Sequence, residues 1–174
     1  QRISLAFVLI GGVIGYSASS GQSAPATAPS VRSDESKFLN PTIRDYGAIV
    51  KLPMAAQQPC DGSKIVVDVT KGGEPDKLNS AIEKVARFVN IYQEAGEKPA
   101  KVNIAVVLHG DATLTVLNAD AYAKRFVTQG NPNLDCLRAL DEAGVKFFVC
   151  GQSLIGKGAK PEEVVSYSYV SVSA

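Results

Sequence analysis

Cys150 ends the apolar run Val145-Lys-Phe-Phe-Val-Cys150 and is followed at once by Gly151. A strand closing on Cys-Gly can turn there, expose its sulfur and aim backbone amides at it. Such donors lower a thiol's pKa and raise its nucleophilic thiolate fraction. The competing reading is a small apolar residue packed in the core, where free cysteine is often found. His109, the one histidine, follows a second apolar run, Val102 to Leu108, and opens the segment His109-Gly110-Asp111. Its near-neutral reference pKa suits it to acid–base work or ligation, against a structural role in holding the loop. Cys136 and Cys60 complete the thiols. On a helix, Cys136 falls opposite Asp135, Arg138, Asp141 and Glu142, with Leu140 and Ala143, which favours burial. A helix running back along the strand would also bring its start to the edge where Cys150 lies, so a disulfide or a resolving role for Cys136 stays open. Cys60 is an odd thiol in a turn, free or paired between chains.

Gly151-Gln-Ser-Leu-Ile-Gly156-Lys157 has the GxxxxGK spacing of a phosphate loop and follows a strand. The match fails at the next residue, where Gly158 stands in place of the hydroxyl that would hold Mg²⁺. Pro161 also interrupts the helix whose amino end should face phosphate. Three cysteines and one histidine without a CxxC pair do not make a zinc ribbon. No metal or other cofactor is expected.

The chain of 174 residues has 45% hydrophobic and 20% charged residues, enough for one packed domain and too much for wholesale disorder. Eighteen Lys and Arg against 17 Asp and Glu, with no basic block, argue against nucleic-acid binding. Arg2 is the only charge in residues 1–20, and an apolar stretch from Ile3 to Tyr16 leads into Ser17-Ala18-Ser19-Ser20. That layout fits a cleaved export signal over residues 1–20. It also fits a retained inner-membrane anchor over residues 3–16, although the run is shorter than the ~20 residues of a spanning helix. Both readings give the rest of the chain a periplasmic location. Residues 21–62 read as an arm. Its first part is rich in Ser, Ala and Pro; from Phe38 to Met54 apolar residues return and give an extended strap, over this domain or a neighbouring subunit.

Residues 63–174 alternate strand and helix patterns. Lys64–Thr70 is a β-branched buried strand, and Gly72-Gly73-Glu74-Pro75 a turn with Pro75 near a helix start. Leu78, Ile82, Val85, Val89 and Tyr92 then mark a helical stripe stopped by Gly96. Val102–Leu108 is the second strand. Leu114–Phe126 is helical in part with Asn118 or Asp120 as cap. Asn131-Pro132-Asn133 is a loop, and Leu134–Ala143 a short helix ended by Gly144. Val145–Cys150 is the third strand, Pro161–Val165 a helical turn and Tyr169–Val172 a fourth strand. The alternation predicts a mostly parallel α/β sheet of four to five strands with helices on both faces. In such sheets ligands bind beyond the strands' carboxyl ends. Those ends hold Thr70-Lys71-Gly72-Gly73, His109-Gly110-Asp111 and Cys150-Gly151-Gln152-Ser153. With a strand order 2-1-3-4, His109 would stand two strands from Cys150, roughly 10 Å away.

Lys64-Ile-Val-Val-Asp-Val-Thr-Lys-Gly, Arg87-Phe-Val-Asn90, Val107-Leu-His-Gly-Asp-Ala112, Asn131-Pro-Asn-Leu-Asp135 and Gly144-Val-Lys-Phe-Phe-Val-Cys-Gly-Gln-Ser-Leu154 together resemble the exported branch of the DsrE/DsrF-like family, over about residues 62–174. The resemblance implies a three-layer flavodoxin-like fold and homo-oligomers, trimers or hexamers. In relatives that handle sulfur, the cysteine matching Cys150 carries a persulfide for a partner thiol. The expected site is therefore Cys150 and His109 as catalytic groups. Gly151, Gln152, Ser153, Gly72 and Gly73 would bind substrate, with Cys136 a candidate resolving thiol. Two functions follow as expectations: a periplasmic persulfide relay with a thiol or persulfide partner protein, or a non-catalytic accessory subunit tethered to a membrane complex by the N-terminal helix.

Overall fold

A computed structural model describes residues 38–174. The expected signal or anchor, and the arm before Phe38, lie outside the described residues. Among the described residues no helix is long and apolar enough to cross a membrane.

Four strands, β1 (Ser63–Val69), β2 (Val102–Leu108), β3 (Lys146–Cys150) and β4 (Ser168–Ser171), form one parallel sheet in the order β1-β2-β3-β4. This is the parallel α/β sheet flanked by helices that the alternation predicts, consistent with a flavodoxin-like fold. The order is not 2-1-3-4, so β2 and β3 are direct neighbours, with Leu108 opposite Val149. The first crossover carries α1 (Ser80–Asn90) and a π-helical turn, Ile91–Ala95. The second carries a 3₁₀ segment (Gly110–Val116), α2 (Ala119–Phe126) and α3 (Leu134–Glu142). The third carries α4 (Gly151–Gly156) and the short turn Pro161–Glu163.

Right-handed crossovers between strands laid down in chain order all fall on the same side of the sheet. Val69, Ile104, Val106, Leu108, Phe147 and Val149 project to that side and are each at most 4% exposed. They pack with Ile82, Val85 and Val89 of α1 and with Leu137 and Leu140 of α3. The second helical layer expected on the opposite face is not supplied by any helix among the described residues. Alternation along each strand leaves Val66, Ala105, Val107, Phe148 and Tyr169 there.

Local capping sets the helix starts. α1 begins at Ser80 rather than near Pro75, because the Asn79 side chain accepts from the Ala81 amide. Asn118, of the two candidates, caps α2 through the Ala121 amide. Asn131 and Asn133, read as loop residues, are buried. Asn131 donates to the carbonyls of Thr115 and Leu117, and Asn133 accepts from the Asn79 amide at 2.8 Å. Asn79 in turn donates to the carbonyls of Lys71 and Gly72. This chain of amides ties together the loops beyond β1 and β2.

The strap lies over its own domain. Ile43 is 1% exposed within the core, and Leu39 and Ile49 form an antiparallel bridge. Its anchor is Asn90 on α1, whose Oδ1 accepts from Thr42 and Ile43 amides while Nδ2 donates to the Tyr46 and Gly47 carbonyls. Gly47 has φ +61, and a Cβ there would stand 2.1 Å from the Arg87 nitrogen, so only glycine lets the strap meet the helix.

Two stability effects follow. Asn90→Ala removes the side-chain partner of several backbone groups of the strap and is expected to cost about 3 kcal/mol in urea unfolding; a loss under about 1 kcal/mol would mean the strap is held by other contacts. Val127, the cap of α2, is a β-branched residue at φ 56 and 93% exposed. Val127→Gly relieves that strain and is expected to stabilise by about 1 kcal/mol in the same assay.

Candidate functional site

The carboxyl ends of three adjacent strands bring together one acid, one imidazole and one thiol. Asp68 lies on β1, opposite Val107, on the face away from the helices. His109 follows β2 and shares that face, so the two stand diagonally across neighbouring strands. Their side chains approach with His109 Nε2 3.6 Å from Asp68 Oδ1. Cys150 ends β3, the strand next to His109, and again points to the same face. It is 5% exposed yet stands outside the hydrophobic core cluster.

Cys150 also occupies the N-cap position of α4. Its side chain makes no capping hydrogen bond of regular geometry to the helix. The donors around it instead favour the charged form and lower its pKa from 9.0 to about 6. Foremost is the Ser153 hydroxyl, followed by the amides of Ala174 and Ser153, with the His109 side chain adding to them; desolvation opposes the shift and loses. At neutral pH the site therefore holds mostly thiolate. Gly151 makes this packing possible, since a Cβ there would stand 2.7 Å from the Ser171 carbonyl oxygen and push β4 away from the end of β3.

Cys136 shows the opposite electrostatics. It is 0% exposed on the core face of α3, and burial, with Glu83 nearby, pushes its thiol up to about 12. Alternation along β3 sets Val149 toward that core and Cys150 away from it. All three cysteines are free, with Cys60 exposed at the end of the strap. The structure does not bring Cys136 to Cys150, and the helix-edge approach fails because α3 presents Cys136 inward, under the sheet.

The other candidates separate into two groups. Ser153 and Gly151 adjoin the sulfur, and Gln152 is exposed on the first turn of α4. Gly72 and Gly73 lie beyond β1, two strands from Cys150, and line a cavity of about 310 Å³ with Lys71, Asp111 and Tyr122. The lysine of the GxxxxGK spacing is held by Asp111 at 2.5 Å, and α4 has only six residues. Among the described residues no group of three His, Cys, Asp or Glu side chains could hold a metal ion. The residues that sequence reading missed are Asp68 and Ala174. Asp68 carries a signal, because it alternates with Val66 on the strand face opposite Val67 and Val69. Ala174 carries none, since its role depends only on where β4 ends.

Thiol, imidazole and carboxylate thus stand in a row, with the thiolate favoured by the groups around it. In a titration followed by thiolate absorbance, the difference between wild type and Cys150→Ser is expected to have its midpoint near pH 6. Ser153→Ala should move that midpoint upward, because the hydroxyl is the largest cause of the shift. A wild-type midpoint at the ordinary thiol value would overturn this description.

Comparison with known proteins gives a family and, among solved structures, a distant likeness. No curated protein matches. The solved structure titled "Structure of Protein of Unknown Function MTH1491 from Methanobacterium thermoautotrophicum" is similar at a TM-score of 0.41 and 17% identity, over 64% of this chain and 83% of that one. Residues 64–174 match the model of the DsrE/DsrF-like family, a span that takes in all four strands apart from Ser63 and both Cys150 and His109. The chain belongs to the DsrE/DsrF-like family.

Proposed function

We propose that this protein carries sulfur as a persulfide on Cys150. Membership of the DsrE/DsrF-like family suggests a sulfur-transfer-related function. The observation that carries the finer reading is the place of Cys150, at the carboxyl end of β3 and the N-cap of α4 on the strand next to His109, where the surrounding donors favour the thiolate.

The Cys150 thiolate attacks the outer sulfur of a persulfide donor, R–S–SH. A bond forms between Sγ and that sulfur, the donor's S–S bond breaks, and R–S⁻ leaves, so Cys150–S–SH results with no net oxidant or reductant. A thiolate from an acceptor protein then attacks the same outer sulfur, and Cys150 departs as thiolate. A low pKa helps this second step, because the better-stabilised thiolate leaves faster. His109, oriented by Asp68, supplies or takes the proton that follows the sulfur atom. Gln152, exposed beside the thiol, is the side chain available to the incoming donor. Gly72 and Gly73 belong to a separate cavity and have no step in this reading.

A partner thiol protein and an exported, periplasmic setting are part of the proposal. The setting rests on the sequence of residues 1–20, where a basic start precedes an apolar run. The accessory-subunit alternative rests on the apolar N-terminal run and on an apolar arm without periodicity, whose strap from Phe38 to Leu52 would dock on a membrane complex. Ile43 and the backbone of Thr42 to Gly47 are engaged by the chain's own α1, while Phe38 and Leu52 stay exposed.

Treatment of the purified protein with polysulfide is expected to add about 32 Da, one sulfur atom, to the peptide containing Cys150. Cys150→Ser should take up none there, and His109→Ala should slow loading by about tenfold or more while leaving the adduct's position unchanged. An unmodified wild-type peptide, or an equal adduct in Cys150→Ser, would overturn the relay.

A further inference from the structure

A cavity of about 360 Å³ lies between the strap and the end of α1. A crossover helix returns antiparallel to its strands, so this end of α1 stands at the amino edge of the sheet, opposite the edge that holds Cys150. Strap and helix are pinned together at two points. Gly47 packs against the Arg87 backbone, and the Leu52 amide donates to the Ala95 carbonyl at 2.6 Å. Between these points Ala48, Ile49 and Val50 line one side and Ile91 and Ala95 the other. Gln58 closes the far end. Its Nε2 donates to the carbonyls of Leu52, Pro53 and Ala55, and its Oε1 accepts from the Glu97 amide. A Cβ at Gly96 would stand 2.7 Å from that Oε1, so a glycine is what lets this wall close on the helix end. Ile91 to Ala95 is a π-helical turn, a rare form that recurs at functional sites.

Small-molecule sites are concave, mostly apolar and roughly 300–1,000 Å³, with a few polar groups that fix orientation. The lining here is aliphatic apart from Phe38, two glutamines and Arg87. Phe38 and Leu52 are left 68% and 59% exposed, apolar surface that the chain itself does not cover. The amide of Gln58 is consumed by the closure, and Arg87 is the one charged residue in the lining. Among the described residues Arg87 forms no ion pair, and Glu83, one turn before it, does not come within ion-pair distance. Glu94, beside Ala95, is neutralised by Lys51. From Arg87 to Ala95 the helix advances roughly 12 Å at ~1.5 Å per residue, so the cavity is a groove with a guanidinium at one end. A narrow aliphatic groove suits a flexible chain, and a guanidinium pairs with a carboxylate through two parallel hydrogen bonds.

We propose that this groove binds a single-chain aliphatic carboxylate of medium length, its tail along the strap and its head on Arg87. The site shares no residue with the thiol edge, and the inference survives if the persulfide reading fails.

Calorimetric titration of the full chain with decanoate, kept below its micelle concentration, tests it. Saturable binding of one decanoate per chain is expected, with a rise in the unfolding temperature, since the ligand holds the strap to the folded state. Acetate, which lacks the tail, and decyltrimethylammonium, which carries a cationic head on the same tail, should each bind at least about tenfold more weakly. Arg87→Gln changes an exposed, unpaired side chain, so the fold, followed by circular dichroism, should persist while decanoate affinity falls about tenfold. Leu52→Asp, at a position already more than half exposed, should weaken decanoate by a similar factor and not decyltrimethylammonium. Cys150→Ser should bind decanoate as the wild type does. The inference is overturned by a wild type without saturable binding, by equal affinity for acetate or the cationic amphiphile, or by unchanged affinity in folded Arg87→Gln or Leu52→Asp. Equal loss in Lys124→Gln, an exposed lysine outside the groove, would reduce the effect to adsorption on surface charge and overturn it too.

Discussion

A right-handed crossover fixes the side of a parallel strand on which its helix must lie, and here three of them run in succession to the adjacent strand. From that constraint come both the one helical layer among the described residues and the row of Asp68, His109 and Cys150 at the sheet's carboxyl edge. β1, β2 and β3 each end with one polar side chain turned away from the helices: Asp68, then His109, then Cys150. Had the chain returned to the far side of β1 after its first strand pair, His109 and Cys150 would have been separated by an intervening strand. Chain-order topology is what converts three distant residues into neighbours.

The two buried cysteines show how much of thiol chemistry is environment. Cys136 and Cys150 have the same intrinsic acidity, yet one is pushed up to about 12 and the other lowered to about 6. At Cys136 the charged form would lie in the apolar core with Glu83 nearby, and no donor offsets its desolvation. At Cys150 little of the surface is exposed either, but the cover consists of a hydroxyl, two amides and an imidazole. The kind of atom lying against the sulfur decides its protonation state more than the extent of its burial does.

Buried asparagines hold the scaffold in register behind this edge. Asn90 closes the strap onto α1, while Asn79, Asn133 and Asn131 connect the loops after β1 and β2 to the start of α3. Each replaces several backbone hydrogen bonds that irregular segments cannot make for themselves, and each would leave orphaned amides or carbonyls if removed. The strap is thus part of the domain's hydrogen-bonding structure, even though its sequence has no periodicity of its own.

Local chemistry made much of this legible in advance. β-branched runs gave the four strands, Gly144 and Asn118 marked a helix end and a helix start, and the Cys-Gly pair put Cys150 at a strand terminus. Those features depend on residues within a few positions of one another, where dihedral preference and hydrophobic period act directly. The anchoring role of Asn90 had no local signal, since its partners lie more than 40 positions earlier in the chain. Asp68 lay within a run read as a buried strand, and the donors of Ser153 and Ala174 could not be assigned to the sulfur before β4 was paired with β3. Strand order, the pairing of His109 with Cys150, the inward turn of Cys136 and the uncovered sheet face were decided by tertiary structure alone. Each depends on contacts between segments far apart in sequence, which no local period or propensity encodes.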